Sequence, residues 1–312
     1  MAQKKEDANQ KSDYDSEEQG ELSVNTKAYA PMLAKEYKLT LCEFLGGGSY
    51  STVARATFGD NNMVVAAKII DISPTKQKED YVKKFLPRET DIVKMLNHDN
   101  VVKVFSVISF SNHIVFVSEF CANGDLLKKM KKCKVLSDEE ARFLFKQLIV
   151  ALQYLQGYNI IHRDLKCENI FLDKFDNVKL GDFGFARVLK NNEKSSTFCG
   201  SRAYVAPEIL RAKEYTGCSV DVWSTGVILY IMLTGSMPFD DRNPTKMIEK
   251  QLAHKVRFSR SCPAPISAKT LVMEILHPHA PARPTYKQIC ESEWLRGTSH
   301  TMKTSREDQG KK

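Results

Sequence analysis

The feature that most constrains this chain is a change of hydrophobic period close to Gly124. Ahead of it, from Tyr37 to about Glu119, short β-branched runs (Asn62-MVVAAKIID, Val101-VKVFSVISF and His113-IVFVSEF) are separated by turn residues and read as strands. One helical segment interrupts them, from about Pro74 to Leu96. It follows Asp71 and Ser73, and keeps Val82, Phe85, Ile92 and Met95 at helical spacing, with Pro87 as a breaker inside it. Beyond Gly124 helices dominate. One begins behind Ser137-Asp138-Glu139-Glu140, which has capping-box spacing, and others are predicted over about 219 to 234, 244 to 255, 267 to 276 and 284 to 294. A small sheet-rich half followed by a larger helical half predicts an α+β, two-lobed architecture, and no internal repeat competes with it.

The 312 residues are 42% apolar, enough for one large core or two apposed smaller ones. Residues 1–27 are polar, acidic and nearly free of aliphatic side chains, and residues 1–36 are expected to be a disordered acidic extension. Residues 297–312 have the same character with more positive charge and are expected to fray as a disordered basic tail. The ordered domain is then 37–296, with lobes of about 37–119 and 124–296. The formal charge is +8, and because residues 1–36 hold five Lys against eight Asp and Glu, about +11 falls on the remainder. Without a zinc finger, an interleaved Lys-aromatic stretch or an RNA-binding signature, that charge does not point to nucleic acid. The longest apolar run, Val227 to Leu233, is far short of the ~20 residues a membrane helix needs, and the first residues hold no signal-peptide core. A cytoplasmic protein is expected, with nuclear access open. Eight scattered cysteines without a CxxC pair read as reduced thiols.

Three short segments carry chemistry. In Leu45-GGGSYSTV, Gly46, Gly48 and Ser51 take the G-x-G-x-x-G positions between two strands, so that Gly46, Gly47, Gly48 and Ser49 can bring backbone N–H groups close to phosphate oxygens. A plain hairpin would look similar, but a Rossmann turn is disfavoured because a strand follows, and a Walker motif is absent. Lys68 lies in an otherwise apolar strand and needs an anionic partner, for which Glu89 and nucleotide phosphates are candidates. His162-RDLKCEN is a dense polar loop between a helix and an apolar strand, matching H-R-D-L-x-x-x-N throughout. There Asp164 can accept a hydroxyl proton, Lys166 can neutralise a transferring phosphate and Asn169 can hold a metal ion. Asp182-Phe183-Gly184 supplies a second metal ligand in Asp182, and Mg²⁺, which prefers oxygen, suits such a pair. Ala206-Pro207-Glu208 closes the segment, with Glu208 expected to pair with Arg283.

From about Tyr37 to Trp294 the chain resembles a eukaryotic protein kinase domain, with these elements in order. HRDLKCEN, DFGFAR, TFCGSRAYVAPE and GVILYIMLTGSMPFDD resemble most closely the testis-specific serine/threonine kinases of the calmodulin-kinase-like group. That resemblance implies ATP and Mg²⁺, with adenine held by backbone groups of Glu119 and Cys121, by Val53 and Ala66, and by Phe171 beneath the ring. Ser118 is the implied gatekeeper, and Asp125 is placed to meet ribose or a basic substrate residue. Lys166 and Ser201 fit a serine/threonine acceptor in protein substrates. Arg163, beside Asp164, suggests control by a phosphate on the activation loop, with Thr197 as the matching position, so that an upstream kinase is implied. A monomeric catalytic domain without nucleic-acid or membrane partners is expected, and the resemblance further implies a role in sperm development. Asp221 is expected to bond the catalytic-loop backbone, and His162 to pack rather than react. A kinase-fold scaffold without transfer activity, and a small-molecule phosphotransferase, are the alternatives.

Overall fold

The computed structural model describes residues 24–48, 51–75, 79–189, 193, 200–215 and 217–304. Ser49 and Thr197 lie outside the described residues. In the first part of the chain β1 (Leu39–Gly48), β2 (Ser51–Phe58) and β3 (Met63–Asp71) pair antiparallel. With β4 (Val104–Phe110) and β5 (His113–Glu119) they form a sheet of order β1-β2-β3-β5-β4. Period-two alternation sends Ala54, Ala56, Val65, Ala67 and Ile69 into a buried layer. Val53, paired directly with Lys68, shares the opposite face with Ala66.

The buried layer is covered by α1 (Val24–Tyr37), whose Leu33 is fully buried and whose Tyr29 ring lies 5.3 Å from Phe110. The expectation of a disordered extension through residue 36 is therefore corrected over Val24–Glu36. Pro31 lies inside the helix, where it removes a backbone donor, so the stabilising contact is with the sheet and is not visible in the segment itself.

The described residues fall into two units: one comprises Val24–Asp71 with Ile108–Val117, the other Ile72–Val107 and the described residues from Ser118 onward. In the second, a π-turn over Tyr81–Phe85 leads into α2 (Leu86–Met95). Pro87 has no N–H to offer Lys83, and the Leu86 N–H instead reaches back five residues to Tyr81 O. The helix also starts later than Pro74, since Ile72–Thr75 are not helical.

The remaining helices are α3 (Leu126–Cys133), α4 (Asp138–Gly157), α5 (Pro207–Leu210), α6 (Ser219–Thr234), α7 (Pro244–Leu252), α8 (Ile266–Ile275) and α9 (Tyr286–Glu291). Two small hairpins accompany them: β6 (Ile160–Ile161) with β9 (Arg187–Val188), and β7 (Ile170–Leu172) with β8 (Val178–Leu180). Apolar on every side, α6 is buried from Val220 to Leu233 and forms the centre of this unit. Ser137 caps α4 by accepting the Glu140 N–H at 3.2 Å, but the Glu140 carboxylate pairs with Lys129 at 2.6 Å rather than closing a capping box. The segment from Thr298 to Thr304, expected to fray, is bonded to buried side chains of the second unit, which corrects that expectation over its described part.

Candidate active site

The polar loop between β6 and β7 is held from α6. Asp221, buried in the first turn of that helix, accepts the His162 N–H at 2.7 Å and the Arg163 N–H at 2.8 Å. Burial pushes its carboxyl pKa up, against the opposing pull of His162 and Arg163. His162 Nε2 lies 3.0 Å from Gly181 O, and its ring packs 5.2 Å from Phe183, so this histidine is a packing residue as expected.

Asp164 is the hub of the loop. Its Oδ1 accepts the Ser201 N–H at 2.9 Å and the Ser201 hydroxyl at 3.2 Å, while Asn169 Nδ2 and Lys166 Nζ each reach Oδ2 at 3.2 Å. Lys166 also donates to Ser201 Oγ at 3.2 Å, and Asn169 Nδ2 to Asp164 O at 2.8 Å. Gly200 allows this approach: its φ is +95°, and a Cβ there would fall 2.6 Å from Arg163 O. The structure thus gathers Asp164, Lys166 and Asn169 into one cluster. Lys68, the fourth expected catalytic residue, lies on β3 of the first unit with Ala66, opposite Val53 on β2. Leu45, Gly46, Gly47 and Gly48 end β1, where Gly46 pairs with Val53.

Gly181 N donates to Asn169 O at 3.0 Å, which ties the turn carrying Asp182 to the loop. Asp182 itself takes a left-handed φ of +57°. Buried Glu89 on α2 neighbours that turn, since a Cβ at Gly184 would lie 3.4 Å from its carboxylate. Because Asn169 Nδ2 is engaged by Asp164, its Oδ1 is the atom left for a cation, and with Asp182 it makes a hard oxygen donor set. Among the described residues no group of three His, Cys, Asp or Glu can hold a metal ion, so a cation here needs phosphate oxygens and water to complete its shell. The residues fit such a metal.

Glu119 donates its N–H to Lys103 O at 2.9 Å, and its carboxylate meets Lys103 N at 2.8 Å and Lys179 Nζ at 2.9 Å. Burial, followed by the Glu119 charge, pushes the Cys121 thiol up to about 12. Phe171 on β7 packs against Gly181 so closely that a Cβ there would sit 2.9 Å from its ring. Asp125 bridges to Phe171 through the backbone and caps α3, accepting the Lys128 N–H at 2.9 Å. The sequence reading assigned Asp125 to ligands and missed the cap, although an Asp ahead of an amphipathic run signals one.

Arg163 adopts φ +66° and donates Nε to Phe185 O at 2.8 Å. Its buried Nη1 and Nη2 have no hydrogen-bond partner among the described residues. Glu208 and Arg283 pair as expected through two bonds of 2.6 and 2.8 Å, the guanidinium lying 4.9 Å from the Trp223 ring centroid.

The sequence matches the protein kinase domain family over residues 39–295, and the chain belongs to that family. Its fold is the two-lobed protein kinase fold, sheet-rich in one lobe and helical in the other. It is 43% identical over 257 residues to testis-specific serine/threonine-protein kinase 1 of Mus musculus, covering 80% of this chain and 70% of the relative. Against testis-specific serine/threonine-protein kinase 3 of Homo sapiens the identity is 37% over 270 residues, 86% of this chain and 98% of the relative. The chain is a protein serine/threonine kinase, using ATP and a divalent metal ion.

Proposed function

We propose that the chain transfers the γ-phosphoryl group of Mg·ATP to Ser and Thr hydroxyls of proteins, with Asp164 as the acceptor of the hydroxyl proton. The observation that carries this reading is the Asp164 carboxylate fixed by Ser201, Asn169 and Lys166. A new bond forms between the hydroxyl oxygen and the γ-phosphorus, the bond to the β–γ bridging oxygen breaks, and the proton passes to an Asp164 oxygen as ADP leaves. The 3.2 Å contacts on Oδ2 are long enough to yield, so that Lys166 turns to the transferring phosphate. A Mg²⁺ ion held by Asn169 and Asp182 supplies positive charge to the phosphates. Lys68 tethers the α- and β-phosphates, with Glu89 as its counter-ion. Leu45, Gly46, Gly47, Gly48 and Ser49 cover the phosphates, and Val53, Ala66, Glu119, Cys121, Asp125 and Phe171 hold the nucleoside.

The Arg163 Nη1 and Nη2, without a hydrogen-bond partner among the described residues, support a second element: a phosphate on Thr197 makes charge-assisted bonds to them and raises activity. The names of the relatives, testis-specific kinases, support action in the testis, and broad expression in other tissues would overturn that assignment. The decisive test is transfer from labelled Mg·ATP to a mixed Ser/Thr peptide library. Asp164→Asn is expected to lower kcat by about 100-fold or more, and near wild-type turnover in that variant would refute the assigned role.

A further inference from the structure

After α9 the chain runs along three buried polar side chains of the second unit, Asn100, Gln147 and Asn177. Burying an amide is costly unless it is hydrogen-bonded, and here the C-terminal segment supplies partners. Asn177 Nδ2 donates to Lys303 O at 2.9 Å and Lys303 N donates to Asn177 Oδ1 at 2.8 Å, a two-point pairing with extended backbone. Gln147 Nε2 donates to His300 O at 3.3 Å, and Asn100 Nδ2 lies 3.3 Å from Met302 Sδ.

Two of these side chains also grip β8. Asn100 Nδ2 donates to Val178 O at 3.0 Å, and Val178 N donates to Gln147 Oε1 at 2.8 Å. The first residue of β8 is therefore held on both its backbone groups by amides that also meet the tail, and Gln147 Nε2 donates in addition to Asn177 Oδ1 at 3.2 Å. β8 ends at Leu180, and the next residue but one is Asp182.

We propose that His300–Lys303 is a positioning element for the kinase reaction. It locks the amides of Asn100 and Gln147, these lock Val178, and β8 presents Asp182 in register with Asn169. In its kinetic part the inference rests on the reading of Asp182 as a metal ligand. Its structural part stands without that reading.

The test uses the full chain carrying Met302→Ser and Lys303→Pro, which removes the thioether and the N–H that Asn177 accepts. Hydrogen exchange at Val178 and Leu180 is expected to quicken about tenfold, and the Mg²⁺ concentration for half-maximal rate to rise about tenfold with KM for the peptide substrate unchanged. A synthetic peptide of residues 297–304 added in trans is expected to reverse both. Leu33→Ala, which is expected to destabilise the other unit, controls for general loss of stability and is expected to shift neither. Unchanged exchange at Val178 and Leu180 overturns the proposal. So does faster exchange with an unchanged Mg²⁺ requirement, provided Asp182→Asn raises that requirement. If Asp182→Asn leaves it unchanged too, the metal-ligand reading is what fails, and the kinetic part falls with it.

Discussion

Two backbone N–H groups of the catalytic loop depend on one carboxylate, Asp221, in a place water does not reach. Asp221→Ala leaves both donors buried and unpaired, which is expected to cost about 2–5 kcal/mol, seen as a melting temperature lower by roughly 5–15 °C. Asp221→Asn keeps an acceptor oxygen and is expected to lose less; equal melting of the alanine variant and wild type would rule the strut out. The thiols give a pH-dependent prediction. Burial pushes Cys121 and Cys167 up to about 12, so at pH 8 only about one molecule in ten thousand carries the thiolate at either site. Iodoacetamide is expected to label exposed Cys42 first, and labelling of Cys121 to speed up about 100-fold between pH 8 and pH 10. Mass mapping that finds Cys121 alkylated as fast as Cys42 would contradict this. Residue identities of the site were legible because the loop chemistry demands fixed types at fixed spacing: Asp164, Lys166 and Asn169 fall in one short motif. The cap by Asp125, and the lack of a partner for Arg163 Nη1 and Nη2 among the described residues, were not legible, since both depend on how far a neighbouring backbone stands from the side chain.

Among the elements, α2 and its π-turn tie activation-segment geometry to a helix. Phe85, the last residue of the turn, meets Phe185 edge-on at 5.6 Å, and the Phe185 carbonyl accepts Arg163 Nε. An aromatic pair of this kind is worth about 0.5–1.5 kcal/mol. Phe85→Ala is therefore expected to lower kcat/KM about three- to tenfold, with Phe85→Leu recovering part of it; no change in steady-state kinetics would show that the contact is only packing. Strands and long helices were read from the sequence because their periodicity is strong: α6 begins and ends where the apolar run predicts. The start of α2 was misplaced because Pro74 resembles a helix start, and a single-sequence pattern does not say whether the turn after it forms. At α1 the reverse happened, a helix arising where the sequence reads as tail. Leu33→Ala is expected to cost about 3 kcal/mol through the cavity it leaves against the sheet, measured by thermal melting of the full chain; a neutral substitution would return α1 to the status of an extension.

At the scale of the whole molecule, binding of nucleotide and metal can be read through stability without any transfer taking place. A ligand that binds only the folded chain stabilises it by RT ln(1 + [L]/Kd), about 2.7 kcal/mol at a hundredfold excess over Kd. Wild type is therefore expected to melt higher in Mg·ATP than in ATP with a chelator. Asp182→Asn replaces a carboxylate assigned to the metal and is expected to lose the metal-dependent part of that rise. Asp164→Asn removes the proton acceptor but no assigned metal ligand, so it is expected to keep most of the rise while failing to transfer phosphate. The two carboxylates thus separate binding from chemistry in one calorimetric series. Equal metal-dependent shifts in wild type and Asp182→Asn would take the cation away from Asp182. Loss of the shift in Asp164→Asn would mean that its hydrogen bonds to Ser201 and Asn169 hold the metal-binding turn in place, and that its effect on turnover is not one of proton transfer alone.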